Sequence, residues 1–369
     1  MRPSRALLVA AIAGALLLAG CDNVFMQKNR EQARRRWDQS RSEMITKLAE
    51  GCYQRGEYGR AYQHIEVLIN AGVTYAPAYV LAARLAEHKG DLDRAHGLAQ
   101  SATAMDPKSS EARYVLGTIE QMLGHTDLAL AEFSEASRLN PNEARYVLAE
   151  AELLVSEGYA EEAAEHVAAT AKRVPGRAEV HAALGDVLVV VGQYGEAAAS
   201  YRTALRLDPD LPGIKERLAT ANYRSGAYGE AEPLLAALAD TEPEPASGWA
   251  YQMRGDCLMA LGRLGEARAL FEGRRQAAPA SAVPLVGLAK CDILEDRLPS
   301  ARAHLESALA LQPKHPEVNA LMGYVLVAEG RPGEALPHLK LALKQPNCEG
   351  RATLERLLAH AENLSRSRS

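Results

Sequence analysis

The feature that most constrains the fold is a 34-residue repeat that runs through most of the chain. Alanine recurs nine times at this spacing, apart from one interval of 36 residues between Ala231 and Ala267. The alanines are Ala61, Ala95, Ala129, Ala163, Ala197, Ala231, Ala267, Ala301 and Ala335. A fixed period of this length indicates a stack of similar supersecondary units rather than a single globular core.

Three other positions keep a fixed offset from these alanines. Twelve residues earlier stands a small residue: Ala49, Ala83, Gly117, Ala151, Gly185, Ala219, Gly255, Ala289 or Gly323. Five residues earlier stands Gly56, Gly90, Gly124, Gly158, Gly192, Gly226, Gly262 or Gly330, with Asp296 as the exception. Twelve residues later stands Pro107, Pro141, Pro175, Pro209, Pro243, Pro279 or Pro313, with Val73 in the first unit, while Pro346 follows the last alanine by eleven residues.

Each of these residue types has a physical reason in a pair of packed helices. Two small residues, one on each helix, allow the two axes to approach closely. The glycine suits the end of the first helix, where the backbone turns left-handed. The proline ends the second helix. Larger apolar residues, such as Leu116 with Phe133, fill the remaining inward positions. The repeat therefore predicts an all-α fold.

This pattern resembles the tetratricopeptide repeat (TPR), as in Gly-Gln-Tyr-Gly-Glu-Ala at 192–197 and Leu-Asp-Pro at 207–209. The resemblance covers residues 42–346. It implies a right-handed superhelical solenoid of nine helix pairs, in which the first helix of each pair lines a concave groove.

A capping helix is expected after the repeats, over residues 347–364. Its apolar stripe consists of Leu354, Leu357, Leu358, Ala361 and Leu364. Such a helix covers the last open face of a repeat array. Residues 365–369 are predicted to be a disordered tail.

The first twenty residues carry the features of a secretory signal. Arg2 and Arg5 precede the apolar run from Ala6 to Ala19, which is shorter than the roughly 20 residues of a membrane-spanning helix. Leu18-Ala19-Gly20-Cys21 resembles the bacterial lipobox. That resemblance implies removal of residues 1–20 and attachment of lipid, including palmitate, at Cys21. The mature protein would then be a lipoprotein tied to a bilayer through Cys21.

Asp22 bears on which membrane holds the anchor. An aspartate after the lipidated cysteine resembles the signal that retains lipoproteins in the inner membrane of enteric bacteria. It favours the extracytoplasmic face of the inner membrane over the outer membrane. The outer membrane remains the alternative location, because the sorting rule differs between bacterial lineages.

Residues 21–41 are predicted to form a lipidated tether and a basic leading helix. The basic residues are Lys28, Arg30, Arg34, Arg35, Arg36 and Arg41. Two interpretations stay open. The basic patch contacts anionic lipid headgroups, or the segment is a solvated helix whose buried stripe is Trp37, Met44, Ile45 and Leu48.

The sequence offers no catalytic motif. It contains no paired-histidine zinc motif, no CxxC, no phosphate-binding glycine loop and no nucleophile elbow, which predicts a protein without enzyme activity, metal or cofactor. A net charge of −5 argues against a nucleic-acid partner.

Four cysteines besides Cys21 are predicted to be buried thiols, with oxidation as the alternative in an exported protein. They are Cys52, Cys257, Cys291 and Cys348. The longer interval near residues 241–245 favours a longer loop over a hinge.

The resemblance also implies which residues line the groove. In the early units these are Glu43, Glu50, Tyr53, Arg84, Glu87 and His88. Further along they are Tyr114, Met122, Val155, Asp186, Val189, Val190, Tyr223, Trp249, Asp256, Met259, Ile293, Leu294, Tyr324 and Val327. Thr46, Glu50, Val80 and Arg84 stand where the family's carboxylate-binding members carry their clamp, so no such clamp is expected.

The apolar groove residues allow two interpretations. Trp249, Met259, Ile293 and Leu294 either form a docking patch for a peptide or helix, or pack between neighbouring first helices.

The expected function is a membrane-anchored scaffold that binds proteins during assembly or export of a cell-envelope machine such as a pilus, secretin or secretion system. The alternative is an accessory subunit of polysaccharide export or of a separately encoded cell-wall enzyme.

Overall fold

The computed structural model describes residues 5–241, 248–344 and 350–368. Side chains are described for residues 29–34, 36–239, 248–344 and 350–366. The helices are α1 (Arg5–Gln54), α2 (Tyr58–Asn70), α3 (Ala76–His88), α4 (Leu92–Met105), α5 (Ser110–Met122), α6 (Thr126–Leu139), α7 (Ala144–Ser156), α8 (Ala160–Arg173), α9 (Ala178–Val191), α10 (Tyr194–Leu207), α11 (Ile214–Arg224), α12 (Tyr228–Thr241), α13 (Gly248–Ala260), α14 (Leu264–Ala277), α15 (Val283–Leu294), α16 (Leu298–Leu311), α17 (Pro316–Ala328), α18 (Pro332–Leu343) and α19 (Arg351–Arg368).

Consecutive helices form pairs, as the repeat predicts. Over the described ranges, α1 to α18 give nine pairs, and α19 follows them. The same ranges contain no strand, so the prediction of an all-α solenoid is confirmed. The chain divides into two compact units, residues 1–175 with α1 to α8 and residues 176–369 with α9 to α19.

The turns within the pairs confirm the predicted backbone. All eight glycines at the end of the first helices have φ between 74° and 89°. Asp296, which replaces the ninth, adopts the same left-handed region with φ 55°. An aspartate tolerates this conformation better than most residues other than glycine. The turn geometry is therefore kept in the unit that lacks the glycine.

The recurring small residues lie at the closest contacts between helices. The nine alanines are fully buried. A Cβ added to Gly117 would overlap the ring of Phe133, and one added to Gly185 would overlap the ring of Tyr201. Glycine at this position leaves room for an aromatic ring of the paired helix, which confirms the register read from the sequence.

A leucine in place of Ala197 should therefore destabilise unit 176–369. Ala197 is fully buried on α10, and extra methyl groups in a packed core cost about 1–3 kcal/mol. Thermal unfolding followed by circular dichroism would measure the loss. The exposed Ala199 on the same helix is the control, since Ala199→Leu should leave the melting temperature nearly unchanged. Equal melting temperatures for the wild type and Ala197→Leu would contradict the register.

The predicted buried stripe at the start of the chain is wrong. Trp37, Met44 and Leu48 are exposed by 62%, 72% and 52%, and only Ile45 is partly buried. The side of α1 that packs carries Ser42, Thr46, Ala49 and Cys52 instead. Trp37, Met44 and Leu48 are exposed because no helix pair of the described chain packs against the other side of α1.

The predicted leader and tether fall on α1, which runs without a break from Arg5 to Gln54. Alanine, leucine, arginine and glutamine are strong helix formers, which accounts for the uninterrupted helix. The side chain of Cys21 lies outside the described residues, and lipidation there stays a prediction. Among the described residues, no helix is long and apolar enough to cross a membrane.

The C-terminal helix α19 packs on the last pair. Ala361 is fully buried, and Leu354, Leu357 and Leu358 pack against the core of α15 to α18. The helix continues to Arg368, where a disordered tail was expected, because no glycine or proline ends it after Leu364. Residues 345–349 and 242–247, with Pro346, Cys348 and the longer interval, lie outside the described part of the chain.

The three cysteine side chains that the structure describes are buried. Cys52, Cys257 and Cys291 are free and buried, as predicted. Burial raises the pKa of Cys257 to about 12 and that of Cys291 to about 11. Both side chains therefore stay protonated at neutral pH, and a protonated thiol is a poor nucleophile.

Candidate functional site

In residues 176–369 the first helices of successive pairs are joined by polar contacts on one face. We call this the first-helix face of α9, α11, α13, α15 and α17. At its beginning, Asp186 on α9 accepts a hydrogen bond from Tyr201 at 2.7 Å and from Arg217 on α11 at 2.9 Å. Burial and the hydrogen bond to Asp186 raise the pKa of Tyr201. Its hydroxyl therefore remains a donor that holds this carboxylate.

A cavity of about 380 Å³ opens beside this carboxylate. The cavity has an apolar wall formed by Val189, Ala221 and Trp249, and Arg217 and Arg224 add positive charge to its lining. Its volume lies at the lower end of the range of small-molecule pockets. It is large enough to receive one side chain of a bound protein.

Further along the face, five residues from four first helices form a half-buried polar cluster. Lys290 on α15 lies 3.1 Å from Asp256 on α13 and 2.6 Å from Glu317 on α17. Tyr223 on α11 donates to Asp256 at 3.3 Å, and Gln252 on α13 donates to Glu317 at 3.2 Å. We call these five residues the polar cluster.

The polar cluster shows that the face curves inward at this point. Gln252 and Glu317 lie on α13 and α17, with the whole of α15 between these helices in the chain. Packed neighbouring helices are about 8–10 Å apart, so side chains two pairs apart do not meet on a flat array. Their direct hydrogen bond requires a concave face here, as the groove prediction expects.

The charges in the polar cluster depend on one another. Burial alone would lower the pKa of Lys290, but the negative charges of Asp256 and Glu317 outweigh burial and raise this pKa. Burial raises the pKa of Asp256, and Lys290 partly offsets that effect. Lys290 is thus a fixed cation between two carboxylates, and it holds three helices at the floor of the face.

The predicted apolar groove residues fall into two groups. Val190, Leu294 and Tyr324 are exposed by 59%, 59% and 45%. The others are half-buried and pack against the adjoining core: Tyr223, Trp249, Met259, Ile293 and Val327. The packing interpretation therefore holds for Trp249, Met259 and Ile293, while a docking role for exposed Leu294 stays a prediction. Packed side chains form the floor, and exposed side chains stand free above it.

In residues 1–175 the predicted groove residues do not form one patch. Tyr114 packs between the rings of Phe133 and Tyr146, with centroid distances of 5.7 and 5.2 Å. Met122 is exposed and Val155 is half-buried. These residues offer isolated side chains and no continuous apolar surface.

The structure adds an ion-pair network that the sequence analysis missed. Glu111 on α5 binds Arg84 on α3 and Arg145 on α7, and it accepts a hydrogen bond from Tyr146 at 3.0 Å. Glu111 and Arg145 occupy the second position of neighbouring repeats. When the repeats are aligned, residues of opposite charge occupy the same position in neighbouring units. This pattern could have revealed the network.

The positions of a carboxylate clamp are engaged in other contacts. Arg84 is bound to Glu111, and Thr46 and Val80 are buried in the core. Glu50 is exposed but carries the wrong charge for binding a carboxylate. Within the described residues, no group of three His, Cys, Asp or Glu side chains is arranged to hold a metal ion.

A second missed feature lies away from the first-helix face. The carboxylate of Asp292 is fully buried and accepts hydrogen bonds from Arg268, Ser300 and His304 at 2.8, 2.8 and 2.9 Å. These partners lie on or beside second helices of two pairs, α14 and α16. This cluster links second helices within the solenoid wall, and we assign it a structural role.

The helix pairs, their turns and their joined first-helix face define an all-α repeat protein. Models of the tetratricopeptide repeat match residues 86–153 and 258–325, and, for a second model, residues 216–282 and 296–361. A third model, described as a TPR repeat, matches residues 185–226. The chain belongs to the tetratricopeptide repeat family. Repeats of this family typically form non-catalytic scaffolds for protein–protein interaction.

Several solved structures are similar to this chain. The C-terminal part of a TPR protein from Cytophaga hutchinsonii is 14% identical, covers 75% of this chain and 99% of its own, and has a TM-score of 0.48. A tetratricopeptide repeat protein from Parabacteroides merdae is 18% identical, with coverages of 68% and 98% and a TM-score of 0.42. Pseudomonas aeruginosa pilF is 19% identical, with coverages of 57% and 94% and a TM-score of 0.42. Comparison with curated protein sequences gives no match.

Proposed function

We propose that this protein is a lipid-anchored scaffold that holds a partner protein on its first-helix face and serves assembly or export in a cell-envelope machine. The main support for this binding site is that exposed apolar side chains on α9 to α17 lie above a floor of paired polar side chains. Family membership supports protein binding as the activity. The lipobox-like segment at Cys21 motivates the anchor.

The chemistry of the face indicates the kind of segment it would bind. Val190, Leu294 and Tyr324 offer apolar contacts, and the cavity beside Trp249 can take one bulky side chain. The polar cluster is already paired, so it contributes little free charge to a partner. The face therefore suits a peptide or helix that presents spaced apolar side chains.

Site-specific photo-cross-linking tests this binding site. We expect a cross-linking amino acid at Leu294 to capture one specific protein in living cells. The matched control is Leu311 on the second helix α16, which is also an exposed leucine and should give no product. Val190→Asp or Tyr324→Ala should weaken capture at Leu294.

The result at Leu294 also discriminates between functions. Absence of a product at Leu294, or equal products at Leu294 and Leu311, would contradict binding on this face. A captured pilin or secretin would favour assembly of a pilus or secretion system. A captured glycosyltransferase or polymerase would favour the accessory role in polysaccharide export.

The anchor has its own test. Cys21→Ser removes the only sulfur that the lipobox-like segment offers. We expect the variant to stay uncleaved and to take up no radioactive palmitate, while Cys52→Ser, which lies outside this segment, is cleaved and labelled like the wild type. Palmitate incorporation that persists in Cys21→Ser would show that the lipidation prediction is wrong.

A further inference from the structure

One exposed face of α1 combines arginine with large apolar residues. Its members are Arg30, Arg34, Trp37, Arg41, Met44 and Leu48. Alternating steps of four and three residues place them on one side of a helix. All six side chains are exposed. We call this surface the α1 basic-apolar face.

The repeat register explains why the apolar part of this face is open. Met44 and Leu48 are the third and seventh residues of the first pair. The corresponding residues of the second pair, Ala78 and Ala82, are buried. In later pairs this side of the first helix packs against the pair before it. Within the described residues no helix pair packs on this side of the first pair, so a surface that is buried in later pairs is exposed here.

Basic residues predominate on this face. Among the acidic residues of α1 between residues 29 and 54, Glu31 and Asp38 lie at its edge, one turn from Arg34, while Glu43 and Glu50 lie on the opposite side of the helix. Within the described residues, no ion pair is formed by Arg30, Arg34 or Arg41. The guanidinium of Arg41 lies 5.5 Å from the ring centre of Trp37. Arginine, tryptophan and aliphatic side chains thus share one surface on which positive charge predominates.

We propose that the α1 basic-apolar face lies on an anionic lipid bilayer. A basic and aromatic helix face beside apolar side chains is the pattern of helices that lie in the membrane interface. From Arg30 to Leu48 the face extends about 27 Å, at 1.5 Å per residue. Anionic headgroups neutralise the arginines, while Trp37, Met44 and Leu48 enter the boundary between headgroups and acyl chains.

Two observations favour a bilayer over a protein occupant. Symmetric pairing with a second copy would bring two sets of three arginines together, and like charges disfavour that contact. Cys21 lies nine residues before Arg30 on the same helix, so the proposed lipid anchor, on which this second argument rests, would hold the face close to a bilayer. The inference concerns α1 alone and is independent of partner binding on the first-helix face.

Fluorescence of Trp37 tests the proposal in the full chain. Trp249→Phe leaves Trp37 as the single tryptophan. The full chain, extracted from bacterial membranes in detergent, is reconstituted into vesicles of phosphatidylcholine alone or mixed equally with phosphatidylglycerol. With the anionic lipid, we expect lipids brominated near the headgroup to quench Trp37, and acrylamide in the water to quench it poorly.

Variants with fewer positive charges then test whether the arginines cause the membrane contact of Trp37. Each arginine near an anionic surface changes the membrane-bound to free ratio about five-fold. The triple variant Arg30→Gln, Arg34→Gln and Arg41→Gln should therefore lower this ratio for the face about 100-fold, which returns quenching to the level in phosphatidylcholine. The control variant Arg60→Gln, Lys108→Gln and Lys172→Gln removes the same charge from exposed positions elsewhere in residues 1–175. It should leave bromolipid quenching unchanged.

Two results would overturn the inference. In one, the protein floats with anionic vesicles, yet acrylamide quenches Trp37 and bromolipids do not. In the other, Trp37 is shielded in detergent before lipid is added and the protein has the mass of a dimer, which would assign the face to a second copy. Neither result alters the expected cross-linking at Leu294, so failure here is distinguishable from failure of the proposed partner site.

Discussion

Phe271→Ala should lower the free energy of unfolding of residues 176–369 by about 3–5 kcal/mol, the usual cost of removing a fully buried phenylalanine. The ring of Phe271 on α14 is almost completely buried. It lies against Gly255 on α13 and against Gly287 on α15, so close that a Cβ on either glycine would overlap it. One side chain therefore fills the space between three helices. Alanine would leave a cavity that the glycines cannot fill.

Denaturant unfolding followed by the fluorescence of Trp249 measures this loss, in a Trp37→Phe background. Trp249 lies at the start of α13, which packs on α14. Leu311→Ala, at an exposed position on α16, is the control and should change the free energy by less than about 0.5 kcal/mol. A Phe271→Ala transition that coincides with the wild type would contradict the packing described here.

The position of Phe271 shows how far sequence reasoning reaches. The repeat identifies Gly255 as the small residue opposite Phe271, because both hold fixed offsets from Ala267. It does not identify Gly287, which belongs to the next unit and recurs at no fixed offset. Contacts within a pair follow from the repeat. Contacts between pairs depend on side chains that differ from unit to unit.

The ends of the array show a second limit. Helix, turn and alanine positions follow from local chemistry, so they hold in every unit. Burial does not, because it depends on the neighbouring unit. Met44 and Leu48 have the apolar character that later units bury, yet they are exposed at the start of the array. At the other end α19 supplies the missing neighbour, and Ala361 is buried.

The candidate site was predictable in outline only. The family register placed Asp256, Val190 and Leu294 on the first-helix face. It did not reveal that Lys290 joins Asp256 to Glu317, because these residues belong to three different pairs. Nor did it separate exposed Leu294 from packed Ile293, its neighbour in the chain. Partners at a separation of one or two repeats can be recognised only when the curvature of the face is known.

The second large effect is expected at Lys290. Lys290→Ala should destabilise residues 176–369 by about 3 kcal/mol, at the lower end for a broken buried ion pair, because the lysine keeps partial contact with water. The side chains of Lys290 and Asp256 are 21% and 19% exposed. Without the ammonium, two carboxylates would face each other in a poorly hydrated place. Lys340→Ala, which removes an exposed partner of Glu362, should cost less than about 1 kcal/mol.

A double-mutant cycle separates this electrostatic cause from simple loss of packing. Asp256→Asn in the Lys290→Ala background removes one of the two charges that the lysine neutralised. The double variant should be less destabilised than the sum of the single variants, with a coupling energy of about 1–3 kcal/mol. Because Lys290 also joins α13, α15 and α17 at the floor of the face, capture at Leu294 should fall in Lys290→Ala while the protein is still folded. Strict additivity of the two substitutions, with unchanged capture at Leu294, would mean that the polar cluster neither couples these charges nor shapes the binding face.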